Sequence, residues 1–152
     1  SAGQRERVRG YGDAGKREGG ELVCGGDAPA RPGYFFEPTV FARMRADMTP
    51  VKSEIFGPVL CVQSFDDADL DRVAAEANST IYGLSGSVWT RDIGLAMQMV
   101  RRIDAGQVSV NMHAALDPAM PFGGNKQSGW GREFGKEGLE PYLKTKGVSV
   151  AW

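Results

Sequence analysis

Three groups of residues have types and spacings that suit chemistry. The first is SEIFGPVL, residues 53–60, where the acid Glu54 stands two positions before the aromatic Phe56 at the mouth of an apolar run. A carboxylate fixed at a strand entrance accepts hydrogen bonds from both hydroxyls of a ribose. An adjacent aromatic packs on a flat ring such as nicotinamide. The same residues also fit a plain turn, with Glu54 solvated and Phe56 in the core. The second group is PFGGNKQSGWGREFG, residues 121–135, rich in glycine. It reads either as turns carrying surface or interface ion pairs of Lys126, Arg132 and Glu133, or as a pocket wall. In the pocket reading Phe122 faces substrate and Glu133 moves a proton. The third group holds the nucleophiles and bases: Cys24, Cys61 and the single histidine, His113. A reactive cysteine needs a cation or a helix N-terminus beside it, and ELVCGG around Cys24 supplies neither. Cys61 sits inside VLCV and reads as inert. His113 has no neighbouring carboxylate to orient it, so it reads as structural or pocket-lining.

These residues need elements to position them. Residues 3–18 have the pattern of a polar helix with Val8, Tyr11 and Ala14 on one side, stopped by Gly19 and Gly20. GYGDAG, residues 10–15, matches G-x-G-x-x-G but lies in this helix, so it is no dinucleotide fingerprint. Leu22–Cys24 is a short apolar strand. GYFFEPTVF, 33–41, is extended, and Pro38 confines it to a sheet edge or a break. Residues 42–57 are irregular with one helical turn before Gly57-Pro58. VLCV, 59–62, has the continuous apolar character of a strand buried on both faces. A helix follows, capped by Asp66 or Asp67, with Leu70, Val73, Ala74 and Ala77 as its stripe. A strand in 84–90 leads to a helix begun by Asp92, with Ile93, Ala96, Met97 and Val100 inward. QVSVN, 107–111, alternates as a strand. Strand, helix, strand, helix, strand predicts an α/β fold: a parallel open sheet with flanking helices. The stretch 112–135 follows the last of these strands, where ligands of open α/β sheets bind. A helix near 136–143 and a terminal strand in 146–152 complete the reading.

Composition narrows the class. The chain has 152 residues, with 18 Lys and Arg against 19 Asp and Glu, for a formal charge of −1. That balance gives no reason to expect a nucleic acid or an acidic membrane surface as partner. No apolar run approaches the roughly 20 residues of a membrane span, and SAGQRERVRG is not a secretory signal. Two distant cysteines outside any C-x-x-C predict neither a disulfide framework nor a metal site, and a reducing, cytoplasmic setting. Glycine is high at 21 of 152, against a usual share of about 7%, which points to tight turns and close backbone approaches.

The series GYFFEPTVF, EIFGPVL, YGLSGSVWTRD, VSVN and PFGGNKQSGWGREFGKEGLEPYLKTK resembles, in this order and over essentially the whole chain, the NAD(P)-dependent aldehyde dehydrogenase superfamily. NMHAALDPAMPFGG is most similar to members acting on aromatic or medium-chain aldehydes, such as phenylacetaldehyde dehydrogenases; betaine-aldehyde and other semialdehyde enzymes stay open. The resemblance implies that Glu54 holds the nicotinamide ribose and that Phe56 lies beside the nicotinamide. It places Gln4 and Arg7 near the cofactor's ribose. It assigns Leu116 and Phe122 to the substrate tunnel and Glu133 to a proton or charge relay. Segment 145–151 would pair with a neighbouring subunit of a homodimer or homotetramer. Residues 1–135 would then be the C-terminal part of a catalytic domain, and 136–152 a terminal helix and oligomerisation strand.

The family's cysteine nucleophile, in a Gly-Gln-x-Cys setting, and its general-base glutamate have no match in this chain. The expected function is therefore the C-terminal portion of an enzyme that oxidises an aldehyde to a carboxylic acid with NAD or NADP, inactive by itself. The alternative is a non-catalytic, truncated interaction module that pairs through its terminal strand. A third reading is a nucleotide-binding fragment using Glu54 and Phe56. The apolar VLCV and the terminal strand also predict that the isolated chain self-associates.

Overall fold

The computed structural model describes residues 1–66, 69–113 and 116–152. It divides into two compact units, Ser1–Thr80 and Ile81–Trp152.

The first unit opens with α1, Ala2–Arg17, capped by the Ser1 hydroxyl, which accepts from Gln4 N. GYGDAG is helical within it. Its end is a Schellman turn: Gly20 N donates to Gly15 O at 2.9 Å and Gly19 N to Lys16 O at 3.3 Å. Gly19 has φ +95°, a conformation that glycine adopts without steric penalty. Strand β1, Glu21–Cys24, pairs antiparallel with β2, Thr39–Ala42, and β2 pairs in parallel with β3, Val59–Cys61. Pro38 stands just before β2, where no ladder bond is needed from it. Thus β2 is the central strand, and of the two alternatives open for Pro38 the break is the one found. The helical turn expected in 42–57 is α2, Thr49–Lys52.

The core of this unit is Phe41, Met44 and Met48, with Val51, Val59 and Cys61 packed around it. Phe41 is fully buried, and burial of such a ring stabilises by about 1.5–3 kcal/mol. Its ring packs on Gly15 of α1 so closely that a Cβ there would stand only 3.3 Å from the ring's Cζ, tighter than an ordinary contact. The expectation that VLCV is buried on both faces fails: Leu60 is 59% and Val62 42% exposed. Nothing in this unit covers that face of β3 among the described residues. The unit closes with α3, Leu70–Ala77, capped by Asp69, whose side chain accepts from Arg72 N. Asp66 is not the cap, and Asp67 lies outside the described residues. Of the expected stripe only Ala74 is fully buried.

The second unit holds a parallel β–α–β element. Strand β5, Ser85–Val88, runs parallel to β6, Gln107–Val110, and the connection is α4, Ile93–Arg102. Asp92 caps α4 as expected, its carboxylate accepting from Gly94 N at 2.7 Å and Leu95 N at 3.1 Å. The buried face of α4 is Ala96 and Met99, whereas Ile93 and Met97 are exposed. The stripe is rotated from the expected one because the two-stranded sheet covers a narrow strip of the helix. Strand β4, Tyr82–Gly83, pairs antiparallel with β7, Asn125–Lys126.

The fold is therefore α/β with flanking helices, but its strands form mixed, short sheets. The parallel pairs are β2 with β3 in the first unit and β5 with β6 in the second. The helix expected over 136–143 is reduced to a single 3₁₀ turn, Glu140–Tyr142. Gly135 and Gly138 flank its approach, and Pro141 removes a donor. The terminal strand expected in 146–152 has no ladder here; those residues are exposed and without regular structure.

Candidate functional site

In the first unit the turn before β3 is presented by α1. Gln4, Arg7 and Val8 share one helical face by their i, i+3, i+4 spacing. Gln4 Nε2 donates to Phe56 O at 2.8 Å and to Ile55 O at 3.3 Å. Arg7 Nη2 donates to Glu54 O at 3.3 Å. Val8, 2% exposed, packs directly on Gly57, and a Cβ at position 57 would collide with Val8 Cγ2. Ile55 is buried and anchors the middle of the turn. Phe56 takes φ +52°, a left-handed conformation unusual for a residue with a bulky side chain.

The outcome is a displayed pair. The Phe56 ring is 75% exposed, so it is not the core residue that the plain-turn reading required. Glu54 is half-buried, and among the described residues its carboxylate takes no hydrogen bond and no ion pair. An open aromatic face and an unpaired carboxylate two residues apart fit a ligand with a flat ring next to a diol. Gln4 and Arg7, expected at the ribose, direct their side-chain hydrogen bonds to the backbone of this turn.

In the second unit the glycine-rich stretch forms a wall. Phe122 and Glu133 make an isolated antiparallel bridge. Gly106 lies so close to the Gly123 carbonyl that no Cβ fits between them. Arg132 Nη1 donates to Gly124 O at 2.7 Å and Gly131 O at 2.9 Å, and its Nη2 to Asn125 Oδ1 at 2.9 Å. Asn125 Nδ2 in turn donates to Asp104 Oδ1 at 3.0 Å, and Lys126 Nζ is 3.6 Å from Asp104 Oδ2. Gly83 N donates to the Ser128 hydroxyl at 3.0 Å, tying the turn to β4. Leu84, Phe122, Ser128, Trp130, Arg132 and Glu133 line an open cavity of about 440 Å³. That is an adequate size for a small organic ligand.

The comparisons with known proteins bear on the whole chain. The model of the aldehyde dehydrogenase family matches residues 1–148. The chain belongs to the aldehyde dehydrogenase family.

Among curated relatives, cytosolic 10-formyltetrahydrofolate dehydrogenase of Xenopus laevis is 45% identical over 142 residues, covering 93% of this chain and 16% of that protein. Aldehyde dehydrogenase 1 of Tanacetum cinerariifolium is 46% identical over 147 residues, covering 97% of this chain and 29% of that protein. Among solved structures, the NAD+ complex of aldehyde dehydrogenase from Bacillus cereus superposes with a TM-score of 0.92 at 44% identity, covering 99% of this chain and 30% of that one. The chain thus spans less than a third of the length of the relatives it matches.

Within this aldehyde dehydrogenase segment the remaining candidates are dispersed. Leu116 is 53% exposed and is not among the residues lining the cavity. It precedes a turn that Gly135 N ties down through Pro118 O at 3.0 Å. His113 is exposed, and its Nδ1 is 2.8 Å from the Ser87 hydroxyl. Cys24 is exposed, with its thiol 3.9 Å from Pro38 O. Cys61 borders the core, and burial raises its thiol above the ordinary range. Among the described residues no cluster of His, Cys, Asp and Glu could hold a metal, and no helix is long and apolar enough to cross a membrane.

Sequence reasoning missed the work done by Arg132, Asn125 and Asp104. It read Arg132 as one of a set of ion pairs, yet its guanidinium serves backbone and amide oxygens. The available signal was a lone arginine within glycine-rich turns, where five fixed donors suit exposed carbonyls.

Proposed function

We propose that this chain is a C-terminal portion of an NAD(P)-dependent aldehyde dehydrogenase that oxidises an aldehyde to a carboxylic acid. In this reading Glu54 and Phe56 form the nicotinamide-ribose edge of the cofactor site. Phe122 and Glu133 belong to the aldehyde pocket, with Glu133 as a proton relay, and Leu116, which does not line the present cavity, is assigned to its approach. The observation that carries the reading is the Glu54 carboxylate, unpaired among the described residues, beside the displayed Phe56 ring. The Bacillus cereus relative's NAD+ complex favours NAD over NADP.

When bound, the nicotinamide supplies a hydride acceptor. Phe56 would support one face of the ring, and Glu54 would accept from the ribose hydroxyls and set the ring's distance from the substrate. Phe122 would exclude water from the aldehyde, and an aromatic or medium-chain aldehyde suits such a wall. The nucleophile that attacks the aldehyde carbon is assigned outside residues 1–152. Burial keeps Cys61 a neutral thiol, and the hydrogen-bond contact of the Cys24 thiol is a backbone carbonyl, that of Pro38, which does not activate it. Residues 136–152 are assigned to contact with another subunit of the same kind, and two free thiols suit a reducing compartment such as the cytoplasm. A second reading, a non-catalytic module pairing through the terminal segment 146–152, is favoured by the exposure of Val148, Val150 and Trp152.

The test is NAD-dependent oxidation of phenylacetaldehyde and betaine aldehyde, followed by NADH absorbance. The 152-residue chain is run beside the longest natural polypeptide that contains it. Turnover by the longer chain alone is expected. Turnover by the short chain overturns the assignment of the nucleophile, and silence from both favours the interaction module.

A further inference from the structure

We propose that Gln4 is a positioning residue that sets the pose of Phe56, with Arg7 as its auxiliary. The proposal rests on the reading of Glu54 and Phe56 as the cofactor edge.

The geometry is specific. Three consecutive carbonyls, those of Glu54, Ile55 and Phe56, each receive a donor from one face of α1. The next residue, Gly57, is pressed against Val8 of the same face. A left-handed backbone at an aromatic residue persists only where its surroundings hold it, and Phe56 is such a residue. Its ring is largely in solvent, so ring packing does not hold it. Beside the anchors on either side, Ile55 and Gly57, the contact made to Phe56 itself is the hydrogen bond from Gln4 to its carbonyl, the shortest of the three at 2.8 Å. Two carbonyl acceptors also fix the orientation of the Gln4 amide, because only its NH₂ end can serve them. Its Oε1 is thereby turned away from the turn. Arg7 is exposed and its bond is longer, which makes it the weaker tether.

The chemistry of substitution separates positioning from ligand contact. Gln4→Met keeps the length and removes the donors. Gln4→Glu keeps the shape and sets a carboxylate against two carbonyls. Gln4→Lys keeps a donor within reach. The experiment measures KM for NAD and kcat in the longest natural polypeptide containing this sequence, for these variants, for Phe56→Ala, for Glu54→Gln and for the double variant Gln4→Met with Phe56→Ala.

The expected result is a KM for NAD raised about tenfold in Gln4→Met, the equivalent of one net hydrogen bond, with more in Gln4→Glu and recovery in Gln4→Lys. The double variant should be no worse than Phe56→Ala alone, since a tether has nothing to position once the ring is gone. A merely structural loss would instead add to that of Phe56→Ala, and additivity overturns the proposal. A harmless Gln4→Met beside a damaging Phe56→Ala also overturns it, while leaving the cofactor edge intact. If Phe56→Ala and Glu54→Gln are both harmless, the cofactor reading itself falls and this inference with it. Should Gln4→Met not fold, Arg7→Ala and Gln4→Lys decide: a raised KM in the first and none in the second supports the tether, and the reverse sinks it.

Discussion

Phe122 and Glu133 exchange both backbone hydrogen bonds, Phe122 N to Glu133 O at 2.8 Å and Glu133 N to Phe122 O at 2.7 Å. This bridge closes the glycine-rich stretch into a loop and sets the residue expected to face substrate beside the residue expected to relay a proton. Inside the loop, the Arg132 guanidinium replaces the core that so short a segment cannot build.

Arg132→Met is expected to lower stability by about 1–3 kcal/mol, because it strands the Gly124 carbonyl and the Asn125 amide oxygen. Arg132→Lys should recover only part, since an ammonium lacks the fixed fork. Urea unfolding of the three proteins checks this, and equal midpoints for the native chain and Arg132→Met would count against it.

Gly106→Ala addresses a different contact. The added methyl has no room beside the Gly123 carbonyl, and overpacking against backbone is expected to cost about 2–3 kcal/mol. Gly3, with open space around it, serves as the control: Gly3→Ala in α1 should be neutral or slightly stabilising. Thermal unfolding ranks the two.

Glu18 joins α1 to α2. Its carboxylate accepts from Thr49 N, and hydrogen bonding to the Thr49 side chain and backbone holds its pKa below the ordinary 4.5. The folded value is depressed, so the contribution is fully present above 4.5 and is lost as pH falls through the folded value. The melting temperature of Glu18→Gln should therefore lie below that of the native chain at pH 7, and the gap should close as the pH falls below 4.5. A gap that widens on acidification has the wrong sign and refutes this linkage.

The two thiols should differ in rate. Cys24 is exposed, whereas Cys61 is partly buried and its thiol is raised by desolvation. Labelling with a thiol reagent at pH 8, read by mass spectrometry, should modify Cys24 first. Faster labelling of Cys61 would mean that β3 opens readily.

Leu22, Val23, Leu60 and Val62 are all exposed on the strands of the first unit or just beyond them. The isolated 152-residue chain is therefore expected to self-associate, with a scattering mass that rises with concentration. A monomer throughout would refute this and show that these exposed strands tolerate water.

Local signals in the sequence determined a good part of the fold. Gly19 and Gly20 end α1, Asp92 starts α4, and Pro38 holds β2 to the residues after it; each acts on neighbours a few positions away, so each is legible without the rest of the chain. The order strand, helix, strand around α4 follows from the same short-range periodicity. Tertiary structure decided what depends on distant partners. Whether VLCV is covered, which face of α4 turns inward and whether residues 146–152 form a ladder are set by what lies opposite. The site shows the division most clearly. Glu54 and Phe56 stand out in the sequence as an acid and an aromatic before a strand. That Gln4 holds Phe56 in place from 52 residues away was settled only when α1 packed against the turn, because hydrogen bonds to backbone carbonyls leave no trace in residue type.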